Sequence, residues 1–175
     1  MSDPAASHTV WPANPFWDFS VSLYRRAGVA QACLELQERH GLDVNLILYF
    51  IWLGIARGFQ VSHGDVAATI ARVAMWHDTV VRPLRAVRTE MKDNAMDAPD
   101  DLGDALRNQI KVAELDAERI EQQILHRQNL SNAPDARPGL PVARENLYAY
   151  LKNLGIVRNS ATTAAVETIL GAVEP

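Results

Sequence analysis

Leu46-Ile47-Leu48-Tyr49-Phe50-Ile51-Trp52-Leu53-Gly54-Ile55-Ala56 is the strongly apolar stretch of the sequence, and its reading decides the fold. It falls well short of the about 20 residues that a helix needs to cross a bilayer, so it predicts a buried core helix. The flanks agree. Asp43 can accept the free backbone N–H groups at the start, and Gly58 can end the helix in a left-handed conformation.

Working back towards the N-terminus, Gly41 closes a helix over about Val29 to His40, and Gly28 separates it from an earlier one. That first helix starts at Asn14-Pro15, an oxygen acceptor followed by a residue with no N–H to waste, and runs to about Arg26. Phe16, Phe19 and Leu23 share one face, with Trp17, Val21 and Tyr24 beside them. Met1 to Asn14 carries an early acid and two prolines and lacks a basic start followed by an apolar run. It predicts an arm and not a secretory signal, with a cytoplasmic location.

Working forward, Ser62-His63-Gly64-Asp65 forms a capping box with Asp in the place of the usual Glu, opening a fourth helix. Val66, Ile70, Val73, Trp76, Val80 and Val81 point inward until Pro83, which kinks or splits the helix by removing a backbone donor. After Ala98-Pro99 comes the longest helix, about Asp100 to Asn129. Its seam of Leu102, Leu106, Gln109, Ala113, Ala117, Ile120 and Ile124 is suited to lengthwise packing. Prolines in 131–141 mark a loop, and Val142 to Asn153 and Ser160 to Val173 predict two shorter helices. No stretch alternates as a strand would.

The expected fold is therefore all-α, a single helical bundle with one long charged helix and a kinked helix before it. The divisions are an arm over 1–14, a helical core over 15–130, a Pro-rich loop over 131–141, and C-terminal helices over 142–175 packing on or beside the core. The densest packing is expected in the N-terminal half, up to about Met96, with the long helix lying along it. A chain of 175 residues suits one such domain, and a net charge of -4 gives no broad footprint for nucleic acid. The lone cysteine, Cys33, excludes an internal disulfide framework and agrees with a reducing compartment.

Several of these stretches carry a resemblance: Phe16-Trp17-Asp18-Phe19-Ser20; Val29 with Ala32-Cys33-Leu34 and Leu36-Gln37; and Gly41-Leu42-Asp43-Val44-Asn45-Leu46 followed by Trp52-Leu53. So do Pro83-Leu84-Arg85 and Ala113-Glu114-Leu115 to Glu121-Gln122-Gln123. Over about residues 15 to 125 the chain resembles an uncharacterised bacterial family of short helical proteins, a domain of unknown function. The resemblance implies the fold and brings no activity, substrate or catalytic residue with it.

Candidate chemistry must be weighed locally. Asp100-Asp101-Leu102-Gly103-Asp104 has the D-D-x-x-D form, and Asn159, Thr163 and Glu167 have the spacing that can join such acids around magnesium and a diphosphate. Directly after Pro99, however, the acids suit the start of a helix, where their charge favours the dipole. Arg82, Arg85, Arg88 and Lys92 share one helical face and form a candidate site for an anion or an acidic partner, since guanidinium forks match phosphate and carboxylate. The bland alternative is a solvated lattice with Glu90, Asp93 and the acids of the long helix.

Trp17, Tyr24, Tyr49, Trp52 and Trp76 are candidates for an apolar pocket between helices, or simply core. Asn45 either completes the Asp43 cap or fixes a neighbouring helix. His77 and Asp78 are neighbours turned about 100° apart on a helix, and Glu121 and His126 miss a shared-ligand spacing, so no metal site is expected from local pairs, which leaves only one built from residues distant in sequence. Cys33, among apolar neighbours, reads as core. No catalytic residue and no cofactor are expected.

The leading expectation is a non-enzymatic interaction or adaptor protein with a protein partner or self-association. The alternative is a small helical binding protein or enzyme for an apolar ligand with a phosphate or carboxylate head, using the aromatics as pocket and the arginines as clamp. No nucleic acid and no transmembrane segment are expected.

Overall fold

The computed structural model describes residues 10–93, 99–128, 130 and 138–173. Among the described residues the chain is all-helical. The elements are α1 (Pro15–Tyr24), α2 (Val29–His40), α3 (Val44–Arg57), α4 (His63–Trp76), a π-helical turn (His77–Val81), α5 (Arg82–Asp93), α6 (Asp100–His126), α7 (Leu140–Asn153) and α8 (Ser160–Gly171). Residues 1–9 of the expected arm and 131–137 of the expected Pro-rich loop lie outside the described residues.

The local stop and start signals act as their chemistry dictates. Asn14 Oδ1 accepts the N–H groups of Phe16 and Trp17 at 3.1 and 3.2 Å. Ser62 and Asp65 satisfy each other's backbone N–H groups, the shorter acid closing the box as Glu usually does. Gly41 and Gly58 end their helices at φ of 67° and 59°, a region costly for any residue with a Cβ.

From Asn45 through Gly54 every residue of α3 is buried. Helices α1, α2, α6 and α7 enclose it, α2 lies on α8, and α4 lies on α6 and α7. The closest helix pair joins α3 to α7 from the C-terminal part of the chain, and the long helix takes a lesser share of α3. The cause is Gly54. A Cβ there would stand 2.3 Å from the Ala143 backbone nitrogen, so the two backbones touch where a side chain would hold them apart. The Gly54 carbonyl also accepts the Gly139 N–H at 3.0 Å.

Asn146 fastens the same junction. Its Oδ1 accepts Val61 N–H at 2.9 Å, and its Nδ2 donates to the carbonyls of Phe59 at 2.7 Å and Phe50 at 3.2 Å. The core thus includes Ala143, Leu147, Tyr150, Leu151, Val166, Ile169 and Leu170.

Of the expected seam of α6, Ala117 is buried and Ile120 and Ile124 are half-buried, but Gln109 and Ala113 are exposed and Leu102 and Leu106 are 63% and 50% exposed. A helix of 27 residues is about 40 Å long and outruns the bundle. Its first half lies beside α5, where Arg107 Nε donates to the Arg88 carbonyl. No described helix is long and apolar enough to cross a membrane.

The expected disruption at Pro83 takes the form of one surplus residue. Arg82 N–H bonds to the His77 carbonyl five residues back, one more than in an α-helix. Pro83 follows at once, where its missing donor and its ring disfavour the ordinary register.

Candidate functional site

Three elements far apart in sequence converge on a buried polar centre. Asp43 arrives as the cap of α3, so its Oδ1 is already committed to Asn45 N–H at 2.8 Å. Its Oδ2 lies 3.2 Å from His77 Nδ1, on the π turn. The same Nδ1 is 3.2 Å from Glu121 Oε1 on α6 and 3.4 Å from Oε2. Asn45 plays both of the roles expected of it in alternative: its N–H completes the cap, and its Nδ2 donates to Glu121 Oε2 at 2.9 Å. Gln122 Nε2 in turn donates to Asn45 Oδ1 at 2.8 Å, which fixes the amide's orientation and, through it, the carboxylate's.

The π turn explains how His77 reaches this place. On an uninterrupted helix, residues eight apart are turned by about 80° from one another. One surplus residue makes the spacing act as seven, a difference of about 20°. His77 and Arg85 therefore face α6 together, where Glu121, Glu118 and Glu114 follow one another at helical spacing.

Arg85 donates from Nε to Glu114 at 3.0 Å and from Nη2 to Glu118 at 2.6 Å, and a third bond reaches Gln37 on α2. Arg88 also holds Glu114. These pairs are half-buried and do not form a solvated lattice.

Electrostatics follow from the packing. Burial pushes the Asp43 carboxyl well above the usual carboxylate range, and the Glu121 charge adds to it. Burial acts to lower His77, but the hydrogen bond to Glu121 and the Asp43 charge outweigh it and raise the imidazole. Burial also raises Glu118 against the pull of Arg85, while for Glu114 the bonds from Arg88 and Arg85 outweigh burial and lower it. Glu114 is the firmly ionised member of the pair, and Glu118 is the more easily neutralised.

Two clefts flank this network. The first, of about 440 Å³, is walled by Trp17, Val21, Tyr24, Leu34, Leu48 and Leu115, with Arg25, Arg85, Arg88, Glu114 and Glu118 as its charged lining. The second, of about 630 Å³, is lined by Asp43 and His77 together with Leu42, Leu46, Val73, Asp78, Arg82 and Tyr150. Gln37 and Arg85 belong to both linings.

The structure divides the candidates named from sequence. Trp17 and Tyr24 line the first cleft with Arg85 and Arg88. Tyr49 and Trp52 are buried against Phe16, their ring centroids 5.2 and 5.5 Å from it, and line a separate cavity of about 320 Å³. Trp76 ties α4 to α6 by donating to the Ala117 carbonyl at 2.9 Å. Arg82 is exposed and pairs with Asp78, and Lys92 is exposed near the end of α5.

Among the acids at the start of α6, Asp101 and Asp104 sit in its first turns. The second half of that pattern is engaged elsewhere: Asn159 caps α8, and Glu167 pairs with Arg144 and Tyr148. Cys33 is fully buried, and burial pushes its thiol up to about 12, so it holds no thiolate at neutral pH.

Local spacing missed the Asp43, His77 and Glu121 centre because its members are joined only by the fold. Among the described residues it is the group whose imidazole and carboxylate donor atoms all lie within 4.8 Å of one another, the arrangement a cation requires. A signal did exist. Glu114, Glu118 and Glu121 form a line of acids on α6 directly beside its apolar seam, close enough to the packed face for neighbouring helices to cover them.

Among known families, the one described as "Protein of unknown function (DUF2390)" matches residues 15–125. No curated protein and no solved structure matches the chain.

Proposed function

Since the chain belongs to the DUF2390 family, whose description assigns no activity, we propose from the site itself that it is a small helical binding protein for an apolar ligand with an anionic head. The observation that carries this reading is the first cleft, in which Trp17, Tyr24, Leu34 and Leu48 stand beside Arg25, Arg85 and Arg88. Its volume falls within the range of small-molecule sites, and its mix of apolar wall and few charges suits an acyl chain with a carboxylate or phosphate end.

Arg25 has no acidic partner among the described residues, while Arg85 is shared between Glu114 and Glu118, of which Glu118 is the more easily neutralised. The head group is therefore taken by Arg25 and by the arm of Arg85 that Glu118 gives up.

Titration of the full chain with decanoate and with 1-decanol, followed by calorimetry and Trp17 fluorescence, tests this. Both bind one per chain. Leu34→Trp, which fills the cleft from a partly exposed position, weakens both by at least about 10-fold. Arg25→Ala weakens decanoate by about 3- to 10-fold and leaves decanol unchanged. Absence of saturable binding, or equal affinity in the Leu34→Trp protein, overturns the reading.

A protein partner, including a second copy of this chain, is the second reading. It is favoured by the solvent-facing Leu102 and Leu106 on one side of α6. Here Leu102→Glu with Leu106→Glu lowers the self-association seen by sedimentation equilibrium by at least about 10-fold, since two apolar contacts are replaced by charge. A wild-type protein that stays monomeric at high micromolar concentration argues against self-association. The buried lone thiol of Cys33 supports a reducing, cytoplasmic setting for either reading.

A further inference from the structure

We infer that Asp43, His77 and Glu121 form a binding site for a first-row divalent cation of the Mn²⁺, Fe²⁺ or Zn²⁺ class, with its remaining coordination positions open to water from the second cleft. This goes beyond the binding reading above and rests on different residues from those that wall the first cleft.

Geometry is the first ground. Ligand atoms about 2.1 Å from a common ion stand about 3.0 Å apart along an octahedral edge and about 3.4 Å along a tetrahedral one. The His77 Nδ1 separations of 3.2 Å from Asp43 Oδ2 and 3.2 Å from Glu121 Oε1 lie between the two.

Valence is the second ground. A neutral imidazole has one proton to give, and the Nδ1 bond goes to Glu121. Asp43 Oδ2 is buried without a hydrogen-bond partner, in a residue only 7% exposed, although it points at the same nitrogen. Proteins rarely strand a buried carboxylate oxygen in this way, because its lost hydration goes uncompensated. An ion between the three donors satisfies Oδ2, Nδ1 and Oε1 together, and its two charges balance the two carboxylates.

The surroundings have the form that metal sites require. Glu121 has 0% exposure, and its other oxygen accepts from Asn45 Nδ2, an amide that Gln122 in turn holds by donating to its Oδ1. Asp43 is fixed by the cap it makes on α3, and the Asp43 N–H donates to the Tyr150 hydroxyl at 3.4 Å.

One imidazole nitrogen with carboxylate oxygens, and no sulfur, favours Mn²⁺, Fe²⁺ or Zn²⁺ over copper(I), and over the all-oxygen sets typical of calcium. Three protein ligands leave positions unfilled, and Asp43 and His77 both line the second cleft, which is large enough to supply water. A proton shared between Asp43 and Glu121 is the competing occupant, and it would leave the centre closed to metal.

The experiment uses the full chain, stripped with chelator and reloaded separately with MnCl₂ and ZnCl₂. The expected result is one ion per chain by native mass spectrometry and elemental analysis. X-ray absorption at the zinc edge then shows a nitrogen and oxygen shell with imidazole scattering and no sulfur. His77→Gln and Glu121→Gln, both close in volume to the native residues, each weaken binding by at least about 100-fold. Asp78→Asn, on an exposed acid of the same cleft, leaves binding unchanged.

The wild-type spectroscopy decides the matter even if a variant fails to fold. Substoichiometric loading, a sulfur shell, absence of imidazole scattering, or folded His77→Gln protein that binds as tightly as wild type would overturn the inference.

Discussion

Replacing Gly54 with alanine is expected to lower the stability of the protein by about 3 kcal/mol or more, the upper end of the cost of overpacking. The added carbon would stand 2.3 Å from the Ala143 nitrogen, 2.4 Å from its Cα and 2.8 Å from the Val142 carbonyl carbon. All three are backbone atoms, so no side chain can swing aside to make room. Relief requires α7 to retreat from α3, which loosens the Leu147, Tyr150 and Leu151 packing and strains the Gly139 to Gly54 hydrogen bond. Gly171→Ala is the control: nothing lies within 4 Å of its added carbon, and stability should change by no more than about 0.5 kcal/mol. Urea unfolding of the two variants separates close backbone approach from a general intolerance of alanine for glycine.

Asn146→Leu is expected to cost about 3–5 kcal/mol, because it keeps the volume while removing a donor and an acceptor that serve buried backbone. Val61 N–H and the Phe59 carbonyl, whose bonds to Asn146 are buried, lose their partner. The Phe50 carbonyl, inside α3, contributes less to the loss. A shift of the urea midpoint as large as that of Gly54→Ala, without change in slope, is the expected reading. A variant as stable as wild type would mean that the amide contributes nothing net to the α3 to α7 junction.

These two positions also show where a sequence stops being readable. The helices themselves are local matters: Asn14 before Pro15, Asp43 before the apolar run, Ser62 with Asp65, and Gly41 and Gly58 after their helices. Each acts through residues within a turn of itself, so its effect can be seen in the primary structure. Gly54 looks like any small residue in an apolar helix, since its purpose lies in a contact with Ala143, 89 positions later. Asn146 looks like an ordinary polar residue of a late helix.

The candidate centre was hidden for a related reason. Asp43 was legible as a cap, and capping does account for one of its oxygens, but nothing local says that the other points at His77. Arg85 and Arg88 were legible as a stripe, and charge patterning allowed their pairing with the long helix. The burial of Glu114 and Glu121 required knowing that α6 turns its acids inward just where α5 and the π turn lie.

The surplus residue of that turn amounts to a phase setting between two halves of one rod. An in-frame loss of a single codon, such as that for exposed Thr79, would make the rod regular and swing everything beyond it around the axis. Arg85 and Arg88 would then miss their acids while His77 kept its own. The ionic teeth along α5 and α6 thus mesh only because the gear was cut one notch off true.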